Sequence, residues 1–270
     1  MCERDDSRRR ARGGLSRRQL VEATVAAGAG LALTAPSRGL AATEAPAAPG
    51  PAACADSRQD ILDVILLAER VATTFYYTGL TTGAIVAPAL PASGGGTGRT
   101  GTARPGALKH LAYVEQALTE EQRHTQVWRD AGAGSRYGAF YFPAATFTRL
   151  GYTGQHGVFL GVLDYVETVL VGTYLAAIGR LGALGHTDLA LMAVQILQTE
   201  CTHRVLGRAI AGDNPADNVT LEVAAVPCVG DAAVALRPFV TGRGFQGGAT
   251  ASIPLPTEAH VARVTRLGRR

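Results

Sequence analysis

The chain has 270 residues, of which 47% are apolar and 18% charged, a composition that suits a folded domain and excludes a disordered one. Its net charge of +4 resides in residues 1–42, where eight Arg face four acids, and the remainder is balanced. A sequence pI of about 9.0 is therefore no sign of nucleic-acid binding, and no basic patch marks the rest of the chain.

The arginines belong to a segment that is set aside before the fold is considered. Ser16-Arg17-Arg18-Gln19-Leu20-Val21, the mildly apolar run from Val25 to Thr34 and the small residues Ala41 and Ala42 resemble a bacterial twin-arginine export signal and its cleavage site. The apolar run is too short and too rich in Gly and Ala to span a bilayer stably. A signal over 1–42 implies an exported protein, whether periplasmic, cell-surface or secreted. The route it resembles carries proteins already folded, often with a metal loaded beforehand. Residues 43–56, TEAPAAPGPAACAD, read as a Pro/Ala linker. Cys54, Cys201 and Cys228 follow the signal; an odd number leaves a thiol over outside the cytoplasm, and a Cys54–Cys228 bridge is compatible with the sequence without being dictated by it. No CxxC pair occurs, which excludes a zinc ribbon or a rubredoxin-type site.

Four long helical patterns come next, with no competing strand-like alternation. The first covers 57–78, with Ser57 or Asp56 as N-cap. The second covers 105–131, punctuated by Pro105 near its start and Gly132 past its end. The third covers 155–181 and the fourth 187–211, capped by Thr187 or Asp188. A Gly-rich insert, PALPASGGGTGRTGTAR, joins the first two, and a long aromatic segment containing FYFP joins the second to the third. A segment that long reads as a crossover along a bundle, its aromatics packed on the helices. The tight GALGH link makes helices three and four antiparallel neighbours. Residues 212–270 read as a Gly/Pro-rich extension with one short helix, GDAAVALRPF. The third helix is apolar nearly all round, yet Asp164 and Glu167 interrupt it. A charge at a bilayer centre costs about 2.5–3.5 kcal/mol on insertion scales, so the pattern reads as the buried helix of a bundle rather than a stable membrane span.

Each helix carries one Glu near its middle: Glu69, Glu121, Glu167 and Glu200. His124 and His203 stand three residues after Glu121 and Glu200, on the same helix face. Tyr76 and Tyr174 stand seven residues, or two turns, after Glu69 and Glu167. The same unit thus occurs twice: Glu-x6-Tyr, then Glu-x-x-His. A single Glu-x-x-His is weak evidence, but two of each in alternating order are not. A lone carboxylate among Val166, Val169, Leu170 and Val171 would be strongly destabilising unless paired or metal-bound. Four such carboxylates repel one another, and two divalent cations would balance them, with two neutral imidazoles completing the shell.

This ordered pattern resembles the ferritin-like superfamily of di-iron and di-manganese carboxylate proteins, over about residues 57–211. The resemblance implies an all-α four-helix bundle with a long crossover between helices two and three, and a dinuclear metal centre. By that analogy Glu69 and Glu167 are terminal ligands, Glu121 and Glu200 bridge, and His124 and His203 each bind one ion. Tyr76 and Tyr174 would hydrogen-bond the ligands or relay electrons. Two iron ions are expected first and manganese second, since mixed carboxylate and imidazole ligation suits both. The implied partners are metal ions and O₂ or peroxide, and a homo-oligomer stays open. The signal, crossover and tail look most like the exported ferritin-like proteins grouped with plant desiccation-related proteins. Two alternatives stand beside a redox enzyme of stress protection: a non-catalytic metal-binding or structural protein, and a manganese-catalase-like enzyme. Leu170 stands where rubrerythrins carry an extra Glu, which puts their peroxidase chemistry in doubt, and the insert and crossover sit awkwardly in a ferritin storage cage. Among neighbouring residues, Trp128 faces the site or the crossover, Asp164 is placed to hold a ligand His in its tautomer, and Glu120 reads as solvated. His110, His156, His186 and His260 read as surface residues.

Overall fold

The computed structural model describes residues 54–82, 105–148, 158–211, 224–245 and 248–267. The segment read as an export signal, most of the linker, most of the Gly-rich insert, the end of the aromatic crossover and the start of the tail lie outside them. Within them, helices α1 (Arg58–Thr81), α2 (Pro105–Asp130), α3 (Val158–Ala183) and α4 (Thr187–Ala211) form the bundle, close to the bounds the sequence implies.

Ser57 opens α1 through a capping box, its hydroxyl accepting from the Asp60 N–H while the Asp60 carboxylate accepts from the Ser57 N–H. Antiparallel α2 runs alongside: Arg58 donates to the Ala131 carbonyl at one end (2.9 Å), and the Thr73 and Thr125 hydroxyls meet further along (3.4 Å). The α3–α4 reversal is tight because Gly185 adopts φ +81°, where a side chain would be strained. Its neighbour His186 donates back to the Leu181 carbonyl (2.9 Å), closing off α3. By length and composition α3 could cross a membrane, and 61% of its most apolar stretch is buried inside the protein. It is covered by α1, α4 and α5 (Val229–Thr241).

The crossover and tail hold more structure than their composition implies. Ala139–Pro143 (β1) pairs antiparallel with Thr250–Pro254 (β2), Tyr141 standing opposite Ser252. This two-stranded ribbon corrects the strand-free reading: each strand has five residues, and neither finds a partner nearby in sequence. Phe140 and Phe142 point inward from β1 and are fully buried. Phe142 packs against Phe75 of α1 and Phe239 of α5, and Phe147 against Phe75 and Phe159, as the aromatic crossover requires. Among its described residues the tail supplies two helices rather than one, α5 and α6 (Glu258–Leu267).

A disulfide joins Cys54 to Cys228, with Cα atoms 5.6 Å apart. Beside it the Asp56 carboxylate accepts from the N–H groups of Val229 (3.2 Å) and Gly230 (3.0 Å) at the start of α5, a favourable place for a negative charge. Arg180, near the end of α3, donates to the Asp56 carbonyl (2.9 Å). The start of α1, the end of α3 and the start of α5 therefore meet in one knot. Asp56, read from sequence as one candidate N-cap of α1, serves α5 instead.

Candidate metal centre

The bundle axis is lined by eight polar side chains. α1 supplies Glu69 and Tyr76, α2 Glu121 and His124, α3 Glu167 and Tyr174, α4 Glu200 and His203. All four carboxylates and Tyr174 are wholly inaccessible to solvent, and Tyr76 and the two imidazoles nearly so. The helical phasing explains why: each residue lies on the stripe its helix turns inward, so the chain buries them together or not at all.

The donors fall into two overlapping sets. Glu69, Glu121, His124 and Glu200 offer ligand atoms all within 4.8 Å of one another, and so do Glu121, Glu167, Glu200 and His203. Glu121 and Glu200 belong to both. His203 Nδ1 lies 2.9 Å from Glu121 Oε1 and 3.5 Å from Glu200 Oε2. His124 Nδ1 lies 2.7 Å from Glu200 Oε1 and 3.5 Å from Glu69 Oε2. Despite that proximity, His124 Nδ1 and Glu200 Oε1 are not aligned as a hydrogen bond.

Whether this set fits metal ions can be judged from its unmatched atoms. Glu69 Oε2, Glu121 Oε2, Glu167 Oε2, both oxygens of Glu200 and His124 Nδ1 are buried without a hydrogen-bond partner in the protein. Leaving a buried polar group unsatisfied costs about 1–3 kcal/mol, more for a charged one. Such orphans concentrated on one set of facing carboxylates and imidazoles are what cation ligands look like without the cation. The donor types, oxygen and imidazole nitrogen, suit iron, manganese or zinc. The residues fit a pair of divalent ions.

Electrostatics tell the same story. Burial pushes the Glu121 carboxyl well above its ordinary range, and Glu200 and Glu69 push it further. Glu167 is raised to about 8, by burial and then by Glu200. For Glu200 the same burial is outweighed by the close approach of the His124 and His203 imidazoles, which hold it at about 2. His124 is raised to about 10, since Glu69 and Glu200 overcome its burial. His203 rises well above its ordinary value because Glu120, Glu121 and Glu200 overcome its burial. These shifts favour protons on Glu121, Glu167 and the imidazoles, so bound cations would compete with protons for the same atoms.

The tyrosines are crossed. Each lies on the face of its own helix's Glu, as the spacing implies, but bonds the Glu of the other helix. Tyr76 donates to Glu167 (2.6 Å), and Tyr174 donates to Glu69 in a short hydrogen bond. The antiparallel run of α1 and α3 brings each Tyr level with the opposite Glu. Trp128 faces the site: its indole N–H donates to the Tyr174 oxygen (2.7 Å), extending the chain to Trp128–Tyr174–Glu69. Two other expectations are corrected. Asp164 holds no ligand His; it accepts from Arg208 (3.0 Å), because the turn before Glu167 lies level with the end of α4. Glu120 is not simply solvated. Its Oε2 lies 2.8 Å from His203 Nε2, and its Oε1 accepts from Gln116 (2.8 Å). A residue beside a ligand gives no sequence signal of which imidazole it will meet. Cys201 is half-buried and belongs to neither donor set.

A ferritin-like domain model matches residues 57–213. The chain belongs to the ferritin-like family. That match spans α1 to α4 and so contains every donor of both sets, in an all-α bundle of the expected kind. No curated protein and no solved structure gives a match. The ferritin-like domain therefore stands on its helices and on buried carboxylate–histidine clusters compatible with a di-metal site.

Proposed function

We propose that this ferritin-like domain is an exported dinuclear carboxylate protein, holding iron or, second, manganese, that activates O₂ or peroxide as an oxidoreductase or ferroxidase in oxidative or desiccation stress. One observation carries the reading: two four-donor sets share Glu121 and Glu200 and lie wholly inside the bundle. Glu121 and Glu200 would be shared by two ions, with Glu69 and His124 completing the set that holds one and Glu167 and His203 the set that holds the other. A redox-active metal pair, when bound, would supply the electron transfer to O₂ or peroxide that the side chains lack. The chain's own residues hold that chemistry in place. Tyr76 fixes Glu167, Tyr174 fixes Glu69, and the apolar walls keep bulk water out.

Export is supported by the twin-arginine-like segment and by the Cys54–Cys228 disulfide, a bond typical of oxidising compartments. Kinship with exported, desiccation-related ferritin-like proteins is supported by the signal, the aromatic crossover and the tail.

The test is metal analysis of protein purified from its native compartment, followed by Fe²⁺ oxidation and peroxide turnover assays. Two ions per chain are expected, lost in the double variant Glu121→Ala/Glu200→Ala. Less than about one ion per chain, with melting of that variant unchanged, overturns the dinuclear reading.

A further inference from the structure

The two donor sets repeat the same residue types, three Glu and one His each, which makes their differences informative. The imidazole nitrogens turned toward the carboxylates are Nδ1 in both histidines. The far nitrogens differ. His203 Nε2 meets the Glu120 carboxylate at 2.8 Å, and Glu120 is itself held by Gln116. Among the described residues no carboxylate or other hydrogen-bond partner meets Nε2 of His124. The position on α4 that corresponds to Glu120 is Thr199, which has no carboxylate to offer. A carboxylate on the far N–H of a ligating imidazole fixes its tautomer and ring orientation and raises its basicity.

The opposite side carries a second difference. Glu69 receives its hydrogen bond from a tyrosine that itself accepts from Trp128, whereas Glu167 receives one from Tyr76 alone. An N–H donated to the Tyr174 oxygen polarises its O–H and strengthens its hold on Glu69, since hydrogen bonds in a chain reinforce one another. A carboxylate held more tightly by a phenol donates less to a cation. The position on α4 that corresponds to Trp128 is Gly207, and the space there is taken by Leu163 of α3.

We infer that the two metal positions are unequal, and that the one built from Glu121, Glu167, Glu200 and His203 fills first because Glu120 positions His203. This rests on the dinuclear reading above. Glu120 touches no ion; it acts through the imidazole. Trp128 acts in the same direction by weakening Glu69 at the other position. The centre then loads in order, one ion tightly and the second more weakly, by about 10- to 100-fold, the usual effect of such an outer carboxylate.

Histidine-labelled, metal-free protein titrated with Zn²⁺ and followed by NMR reads each imidazole separately. The first equivalent should move His203 and leave His124 in place, and the second should move His124. Glu120→Ala should collapse the order into simultaneous loading, and Glu120→Gln, which keeps an acceptor but no charge, should leave a reduced gap. The Glu120 side chain is 35% exposed, so neither change should disturb folding. Trp128→Phe should narrow the gap from the other side. Simultaneous movement of both imidazoles in the unaltered protein, His124 moving first, or an order indifferent to Glu120→Ala overturns the inference and leaves the dinuclear reading standing. If neither imidazole responds to Zn²⁺, both readings fall together.

Discussion

The helix pairs α1–α2 and α3–α4 present the same candidate ligands and hold them differently. Each contributes a Glu two turns before a Tyr and a Glu one turn before a His. The first pair adds Glu120 and Trp128, and the second has Thr199 and Gly207 in their places. The first is joined by a long Gly-rich insert, the second by a turn of a few residues. What would touch the ions recurs, while what would only support those side chains differs. A residue's presence in both halves therefore separates a ligand from its support more clearly than distance from the centre does.

The largest effect should come from removing what both halves share. Glu121→Ala with Glu200→Ala should abolish metal uptake and with it the metal-dependent rise in melting temperature. For the unaltered protein that rise should correspond to about 4 kcal/mol at a free ion concentration a thousand times the dissociation constant. Calorimetry with and without Mn²⁺ measures it. The same melt in the absence of metal should show the double variant as less stable than its parent, because losing Glu200 leaves the buried His124 and His203 without the carboxylate that balances them.

Next comes pH. Glu167 has a folded-state pKa of about 8, above the ordinary carboxyl value of 4.5. Its contribution is fully present below about 4.5 and is lost as pH rises through 8. His124, raised from 6.5 to about 10, adds stability below 6.5 that is lost as pH rises through 10. Glu200, held at about 2, acts oppositely, and its contribution disappears only as pH falls from 4.5 through 2. Metal-free protein should therefore lose stability steadily between pH 5 and 10. Metal-loaded protein should gain over the lower part of that range, since ions displace those protons. Melts in a pH series, run both ways, should diverge; parallel curves would contradict the assignment of these groups to the ligand set.

The covalent knot touches the halves unequally, at the start of α1 and the end of α3. Cys54→Ser with Cys228→Ser should lower stability by about 2–4 kcal/mol, the common range for a disulfide. Denaturant unfolding measures this, and an equal loss on adding reductant to the unaltered protein confirms its source.

The smallest effects sharpen the comparison most. Tyr174→Phe should cost more than Tyr76→Phe, because it strands both the Trp128 N–H and a Glu69 oxygen. Expected losses are about 2–3 kcal/mol against about 1 kcal/mol. The fluorescence of Trp128, the only Trp in the chain, should shift in the first variant and not in the second. Equal losses would show that the indole hydrogen bond contributes nothing.

Much of this site was legible because it is periodic. Glu69 and Tyr76, or Glu200 and His203, share a face by arithmetic on one helix, and burial of the face follows from the apolar residues around it. What lay beyond the sequence are the contacts between helices. Which Glu meets Tyr76 depends on the direction in which α3 runs past α1. Whether Asp164 meets a histidine or Arg208 depends on the relative heights of α3 and α4. Glu120 could not be told from a solvated neighbour, because the rotation of α2 that points Glu121 inward also decides what its neighbour meets. The β1–β2 ribbon was hidden for a different reason: its strands are too short to show a period, and only folding brings the tail to the crossover.

The bond between Cys54 and Cys228 has a topological side. It closes a covalent ring that contains all four bundle helices and every candidate ligand. A single cut of the backbone anywhere inside that ring opens it without releasing a fragment. Protein nicked there would run as one species until reduced and as two afterwards. In a compartment rich in proteases, the bundle can be cut once and still keep all eight of its central side chains in one molecule.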